Sequence, residues 1–242
     1  MTFGSLFAGI GGLDLGLERA GMECLWQVEI NDYATQVLER HWPGVRRHRD
    51  VRTFPPAGDW SVDLICGGFP CQDISNAGRR SGIEGSQSGL FFEVIRVARQ
   101  LRPRFLLLEN VSALLARGMG TVLRELAEIG YDAEWHCISS ASMGAPHKRE
   151  RVFIMAHSNI EGLQGRNSKG VPERTVERIT GKGGSCKGEL SDHWVTEPDV
   201  GRVADGVPRR VDRLKCLGNA VVPQVAEFIG RELIRRSWLS WA

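Results

Sequence analysis

Short apolar runs alternate with amphipathic segments along residues 1–156. The runs typical of strands are Thr2–Phe7, Cys24–Glu29, Ser61–Cys66, Arg104–Glu109, Asp132–Ser139 and Arg151–Ala156. Between several of them, helical spacing predicts helices at Gly12–Ala20, Asp32–His41, Ser88–Leu101 and Met119–Ile129. This alternation predicts an α/β fold with a doubly wound, mostly parallel sheet. In such sheets ligands bind beyond the carboxyl ends of the strands, so the loops that follow strands are the places to look for chemistry.

The pattern changes near His157. From His157 to Leu190 there are seven glycines and no Phe, Tyr or Trp, so this segment cannot build much core. We interpret it as an inserted region. Helical spacing returns after Pro223, and the apolar positions of this last predicted helix are Val225, Ala226, Phe228, Ile229, Leu233 and Ile234.

Composition narrows the class of protein. The 242 residues are 42% hydrophobic and 25% charged, which suits one medium domain with a small appendage. The net charge of +2 argues neither for nor against a nucleic-acid partner. No apolar run reaches membrane-spanning length, and the N-terminus has no secretion-like pattern. The six cysteines form no C-x-x-C pair and no zinc-like spacing, so we expect free thiols, no metal and a cytoplasmic location.

A glycine-rich loop, Ser5–Gly12, follows the first predicted strand and precedes a helix. Glycines let the backbone approach a ligand, and the start of a helix offers free N–H groups. Glu29, twenty residues after Gly9, is placed to bind ribose hydroxyls, and Asp50-Val51 to hold an adenine amino group. The third glycine of a dinucleotide fingerprint is absent, because Asp14 stands there, so S-adenosylmethionine fits better than NAD. The alternative is a tight turn without a ligand.

A second loop, Gly67–Gln72, follows the strand that ends at Cys66. Its Cys71 is a candidate nucleophile, although most free cysteines are small buried residues. Glu109-Asn110 ends the next strand and therefore opens onto the same edge of the sheet. A thiol and a carboxylate at one edge suit covalent catalysis assisted by a proton donor.

These motifs resemble the DNA (cytosine-5) methyltransferase family. The matching blocks, in the family's order, are Phe7–Gly12, Gly68–Gln72, Glu109–Val111, Arg149–Arg151 and Gly218–Pro223. The resemblance implies the Rossmann-like fold of S-adenosylmethionine-dependent methyltransferases, double-stranded DNA as partner and S-adenosylhomocysteine as product. It also implies base flipping, and a catalytic set of Cys71, Glu109, Asn110, Arg149 and Arg151.

The resemblance assigns further residues to two ligands. The cofactor set is Phe7, Gly9, Ile10, Gly12, Glu29, Ile30, Asp50, Val51, Pro70, Leu90, Asn219 and Ala220. The DNA set is Gln72, Ser75, Arg79 and Arg80, in a loop that resembles the family's mobile catalytic loop. Asn219 and Ala220 belong to the C-terminal block, which in the family folds back beside the first loop.

The chain departs from the family in places. His147 stands where relatives commonly have Gln, Gly85–Gln87 replaces a common Asp-x-Arg, and Ile30 replaces a common aromatic residue. The largest departure is the short region 157–212, where relatives hold a sizeable target-recognition domain. We therefore expect a catalytic domain at 1–156, a reduced, irregular recognition insertion at 157–212, and a segment completing the catalytic domain at 213–242.

Competing functions remain open at this stage. A tRNA cytosine-5 methyltransferase would keep the chemistry and change the substrate, and a catalytically weak binding relative would hold cofactor and DNA without turnover. An adenine amino-methyltransferase is disfavoured because Thr53–Ala57 lacks the required loop, and an NAD oxidoreductase because the glycine fingerprint is incomplete. We expect a monomer.

Overall fold

The computed structural model describes residues 1–70, 88–159 and 208–239, and its centre is one seven-stranded sheet. The strands are β1 (Thr2–Leu6), β2 (Glu23–Val28), β3 (Arg46–His48), β4 (Leu64–Gly68), β5 (Phe105–Val111), β6 (Tyr131–Ser139) and β7 (Glu150–Ser158). The helices are α1 (Gly12–Arg19), α2 (Asp32–His41), α3 (Phe91–Leu101), α4 (Leu114–Arg117), α5 (Met119–Glu128), α6 (Arg210–Asn219) and α7 (Pro223–Leu239).

The strand order is β3-β2-β1-β4-β5-β7-β6. Strands β1 to β5 pair in parallel, whereas β7 runs antiparallel to both β5 and β6. The chain order reverses at β1, which lies between β2 and β4, and a crevice forms at such a switch point beyond the carboxyl ends of the strands. The predicted doubly wound, mostly parallel sheet is confirmed.

Two apolar layers cover the sheet. On one face, α3 and α5 pack with an aromatic group in which Trp26 donates its indole N–H to the Trp60 carbonyl at 2.8 Å. On the other face, α1 and α7 bury Leu17 and Ile229 against the strands. Alternation of buried strands with helices that have one apolar stripe is what forces this three-layer arrangement.

Most predicted elements are confirmed within two or three residues at their ends. The strand predicted at Ser61–Cys66 begins later and runs through Gly68, because its glycines pair with β1 and β5. Phe228, expected on the apolar stripe of the last helix, is exposed. Helix α6 was not predicted, since it is short, half of it is polar or charged, and its apolar residues Val211, Leu214 and Leu217 are exposed.

Candidate active site

The first glycine loop bends through three left-handed residues. Phe7, Gly9 and Gly11 have φ values of 53°, 58° and 80°. A left-handed non-glycine residue such as Phe7 carries strain of a kind that concentrates at functional sites. Gly12, at the start of α1, lies so close to the C-terminal block that a Cβ there would stand 2.3 Å from the Val221 carbonyl oxygen. The expected folding back of the C-terminal block beside this loop is therefore found.

Glu29 follows β2 and is held by main-chain donors. Its Oε2 accepts the Gly9 N–H at 2.8 Å, and its Oε1 accepts the Asn31 N–H at 2.7 Å. Both bonds orient the carboxylate without consuming all of its acceptor capacity. The half-buried carboxylate can therefore still accept two hydroxyl groups of a ligand.

The side of the cavity beyond Glu29 is lined by Ile30, Asp50 and Val51. Ile30 is 59% exposed, which suits aliphatic contact with a flat ring. Arg52 donates to both oxygens of Asp50, at 2.6 Å from Nη2 to Oδ2 and 2.9 Å from Nε to Oδ1. These bonds hold the pKa of the Asp50 carboxyl below its ordinary value, so Asp50 is an ionised acceptor at neutral pH.

Glu109 lies near the carboxyl end of β5, paired in register with Gly68 of β4. Only 7% of this residue is exposed, and burial raises the pKa of its carboxyl from 4.5 to about 7, although Arg151 and Arg149 oppose the rise. Arg151 Nε stands 2.9 Å from Glu109 Oε1, so the two side chains form an ion pair. Glu109 can therefore carry or release a proton near neutral pH.

Two neighbours fit closely around Glu109. A Cβ on Gly68 would lie 2.8 Å from Glu109 Oε2, so a glycine there leaves room for the carboxyl group. Asn110 is 1% exposed and donates from Nδ2 to the Phe69 carbonyl at 3.3 Å. Asn110 thus joins the end of β5 to the loop that leads into Cys71.

Arg149, just before β7, and Arg151, within it, have different partners. Arg151 faces Glu109, whereas Arg149 donates from Nη2 to the Ala220 carbonyl at 2.8 Å. Burial and the neighbouring Arg151 lower the pKa of the Arg149 guanidinium. Arg149 is further tied to Ser140, whose Oγ accepts the Arg149 N–H at 3.0 Å. Arg151 therefore belongs to the Glu109 group, and Arg149 connects β7 to the C-terminal block.

Glu29, Asp50 and Glu109 line one cavity of about 510 Å³, a size typical of a site for a small organic ligand. The predicted residues that line it are Phe7, Gly9, Gly12, Glu29, Ile30, Asp50, Val51, Pro70, Leu90, Glu109, Asn110, Arg151, Asn219 and Ala220. Ile10 and Arg149 are not among the lining residues. The structure therefore brings together the motifs from opposite ends of the chain.

Among the lining residues that sequence reasoning missed are Lys215 and Cys216 of α6. Cys216 is half-buried, and burial together with Glu29 and Asp212 raises the pKa of its thiol. The available signal was helical spacing, because Lys215 lies four residues before Asn219 and so shares its helix face.

Several predicted residues lie outside the described part of the chain: Cys71, Gln72, Ser75, Arg79 and Arg80. The same holds for residues 160–207, most of the predicted recognition insertion.

Within residues 1–70, 88–159 and 208–239, no group of three or more His, Cys, Asp or Glu side chains is arranged to hold a metal ion. Among these same residues, no helix is both long and apolar enough to cross a membrane.

Known proteins are similar to this chain over most of its length. Residues 1–194 match the family model for C-5 cytosine-specific DNA methylase. The type II methyltransferase M.BsuFI of Bacillus subtilis is 30% identical over 222 residues, which are 88% of this chain and 53% of the relative. M.Eco47II of Escherichia coli is 35% identical over 204 residues, which are 80% of this chain and 48% of the relative. The chain thus spans about half the length of these curated relatives.

Two solved structures share the fold. A Spodoptera frugiperda DNMT2 variant is 22% identical with a TM-score of 0.56, covering 70% of this chain and 53% of that chain. Schizosaccharomyces pombe Dnmt2 methyltransferase is 21% identical with a TM-score of 0.54, covering 66% of this chain and 49% of that chain. At these identities the similarity concerns the α/β architecture alone.

Proposed function

Because this chain belongs to the C-5 cytosine-specific DNA methylase family, we propose that it methylates C5 of a flipped-out cytosine in double-stranded DNA. The observation that carries this proposal is the shared cavity. Glu29 and the first loop line one part of it, and Glu109 and Arg151 another. Pro70, the residue before Cys71, lines it as well. An adenosine-bearing methyl donor and a cytosine have a common space in which to meet.

The residues present fit S-adenosylmethionine. Glu29 offers a fixed carboxylate for the ribose hydroxyls, and Ile30, Asp50 and Val51 offer an apolar surface and an acceptor for adenine. Phe7, Gly9, Gly12 and Leu90, with Asn219 and Ala220, line the same cavity and would contact the remainder of the ligand. When bound, the cofactor supplies an electrophilic methyl group and leaves as S-adenosylhomocysteine.

In the proposed chemistry, the Cys71 thiolate adds to C6 of cytosine and forms an S–C6 bond. The electron pair of the C5–C6 double bond then becomes available at C5, which takes the methyl group. Loss of the C5 proton to a base and breaking of the S–C6 bond restore the ring and release the thiolate. This covalent route activates C5, which is otherwise a poor nucleophile.

Glu109 has the properties this route requires. With a pKa of about 7, its carboxyl can donate a proton to N3 of the base and stabilise the charge that the thiol addition creates. Arg151 faces the same carboxyl and offers a donor for the base O2, while Arg149 supports the site through Ala220. We propose that Asn110 orients this group from its bond to Phe69.

The remaining assignments concern DNA and domain organisation. We propose that Gln72, Ser75, Arg79 and Arg80 contact DNA next to the extruded base. Extrusion of the base from the duplex costs a few kcal/mol. We propose that residues 1–156 and 213–242 form the catalytic domain, that 157–212 contribute target recognition, and that the chain acts as a monomer.

Bisulfite sequencing of plasmid DNA from cells that express the chain tests the proposal. We expect protected cytosines in one sequence context for the natural chain, and none for Cys71→Ser, which should still bind S-adenosylmethionine. In vitro, methyl transfer to duplex DNA but not to tRNA separates the DNA reading from the RNA one. Normal turnover by Cys71→Ser would exclude the covalent route.

A further inference from the structure

Helix α6 forms part of the cavity wall without being anchored in the core. Its residues Lys215, Cys216 and Asn219 share one stripe of the helix and line the cavity. Among its described side chains none is buried, and Val211 is 75% exposed. Burial of apolar surface therefore contributes less to holding α6 than it does for the core helices, and the contacts at its two ends gain importance.

The C-terminal end of α6 is fixed by the main chain. Ala220, just after the helix, accepts the 2.8 Å bond from Arg149, and Val221 packs against Gly12. This end therefore follows β7 and α1.

At the N-terminal end, the side chain of Arg209 contacts helix α2. Arg209 donates from Nη1 to Gln36 Oε1 at 2.5 Å, and its guanidinium carbon lies 5.9 Å from the ring centroid of Tyr33. Both partners lie on α2, more than 170 residues earlier in the chain. We call this contact of Arg209 with Tyr33 and Gln36 the α6 clasp. Arg209 also has a φ of 56°, a left-handed conformation that costs free energy in a non-glycine residue.

The clasp connects α6 to the cofactor side of the cavity. Helix α2 begins after Asn31, whose N–H donates to Glu29 Oε1, and Glu29 in turn accepts the Gly9 N–H. Together with the Arg149–Ala220 bond, these contacts form a continuous series around the cavity, in which the clasp joins the exposed side chains of Arg209 and Gln36 and the half-buried Tyr33.

We propose that Arg209 is a positioning residue for the methyl donor. By contacting α2, it holds Lys215, Cys216 and Asn219 of α6 next to the ligand bound at Glu29. This proposal rests on the proposed function for the identity of that ligand. Its consequence is specific: loss of the clasp weakens cofactor retention and leaves the chemistry at Glu109 intact.

Titration of the full chain with S-adenosylhomocysteine, together with the KM for S-adenosylmethionine and kcat, tests this. Arg209→Ala should weaken binding and raise KM about fivefold, the scale of an exposed cation–π contact, with kcat unchanged within about twofold. Arg209→Gly should do the same, although glycine relieves the left-handed backbone. Arg209→Lys should restore part of the loss. Arg213→Ala, which removes the same charge from an exposed position of the same helix, is the control and should bind normally.

A double-variant test of the energetic coupling between Arg209 and Tyr33 supplies a second comparison. Tyr33→Ala should match Arg209→Ala, the double variant should be no worse than either, and Tyr33→Phe should retain binding because the ring remains. Additive losses would contradict the clasp, as would normal binding by Arg209→Gly.

Hydrogen exchange without ligand separates this proposal from the proposed function. Amides of residues 210–219 should exchange faster in Arg209→Ala and Tyr33→Ala than in the natural chain, while those of α7 stay unchanged. If the natural chain binds no S-adenosylhomocysteine, the proposed function fails, and the positioning role for the methyl donor is overturned with it. If the natural chain binds, and the Arg209 variants bind equally well with unchanged exchange, the clasp is overturned alone.

Discussion

Glu29, just after β2, and Glu109, near the carboxyl end of β5, line one cavity, yet their surroundings are built differently. Glu29 is held by two N–H groups of the main chain, at 2.8 and 2.7 Å. Glu109 is buried beside the side chains of Arg151 and Gly68, and its pKa is raised to about 7. Main-chain donors fix an acceptor in one orientation, which suits binding. A buried carboxyl among side chains changes its protonation easily, which suits chemistry.

The largest expected effect is on turnover and follows from a change at Glu109. Glu109→Gln keeps the shape of the side chain but can no longer exchange a proton, so kcat should fall at least about 100-fold. Binding of S-adenosylmethionine should stay within about twofold. Single-turnover methyl transfer and titration calorimetry measure the two quantities, and a variant that loses binding as severely as turnover would break the proposed division.

Glu29→Gln is the matched change at the carboxylate proposed to bind the cofactor. Its amide NH₂ would face one of the two main-chain N–H donors, which loses a charge-assisted bond. We expect the Kd for S-adenosylmethionine to rise at least about tenfold, with kcat at saturating cofactor nearly unchanged. The opposite pattern, normal affinity with slow transfer, would contradict the comparison.

Gly68→Ala sharpens the comparison by moving Glu109 without removing it. The new Cβ would stand 2.8 Å from Glu109 Oε2 and displace the carboxyl group. Turnover should fall about tenfold, since small misplacements of a reacting group slow catalysis strongly. Gly44→Ala meets no atom within 4 Å and serves as the control. Equal turnover by both variants would show that the fit around Glu109 is not needed.

The smallest effect on turnover is expected at Asp14, a third carboxyl that lies beneath the first loop. Asp14 is fully buried, accepts bonds from Gln27 at 2.8 Å and Ser5 at 3.0 Å, and burial raises its pKa from 3.8 to about 6. Because the folded pKa exceeds the unfolded one, its contribution to stability is complete below about pH 4 and is lost as the pH rises through 6. The loss is on the order of 3 kcal/mol at most.

Asp14→Asn should therefore reduce the fall in unfolding free energy between pH 4 and pH 8 and leave methyl transfer unchanged. Urea unfolding at several pH values measures it. Part of the fall should persist, because ionisation of Glu109 acts in the same direction. An unaltered slope in the variant would mean that Asp14 does not titrate in this range.

The fold could be predicted well from the sequence because the patterns that indicate strands and helices are local. Alternating apolar runs and helical stripes do not depend on distant contacts, and helix α2 was predicted at the bounds it has. Position at the ends of predicted strands pointed to Glu29 and Glu109, and the resemblance to a family added Arg151; all three line one cavity. Helix α6 escaped prediction because its own pattern contains no buried stripe.

By itself, then, the amino-acid sequence determined the layers, the strand-end loops and the types of residue at the site, since these follow from hydrophobic spacing and from short motifs. Only the tertiary structure decided that Arg149 binds Ala220 while Arg151 faces Glu109, and that Arg209 reaches Tyr33 across the chain. Those partners are set by side-chain packing between segments far apart in sequence, and burial in that packing is also what moves the pKa of Glu109 to about 7.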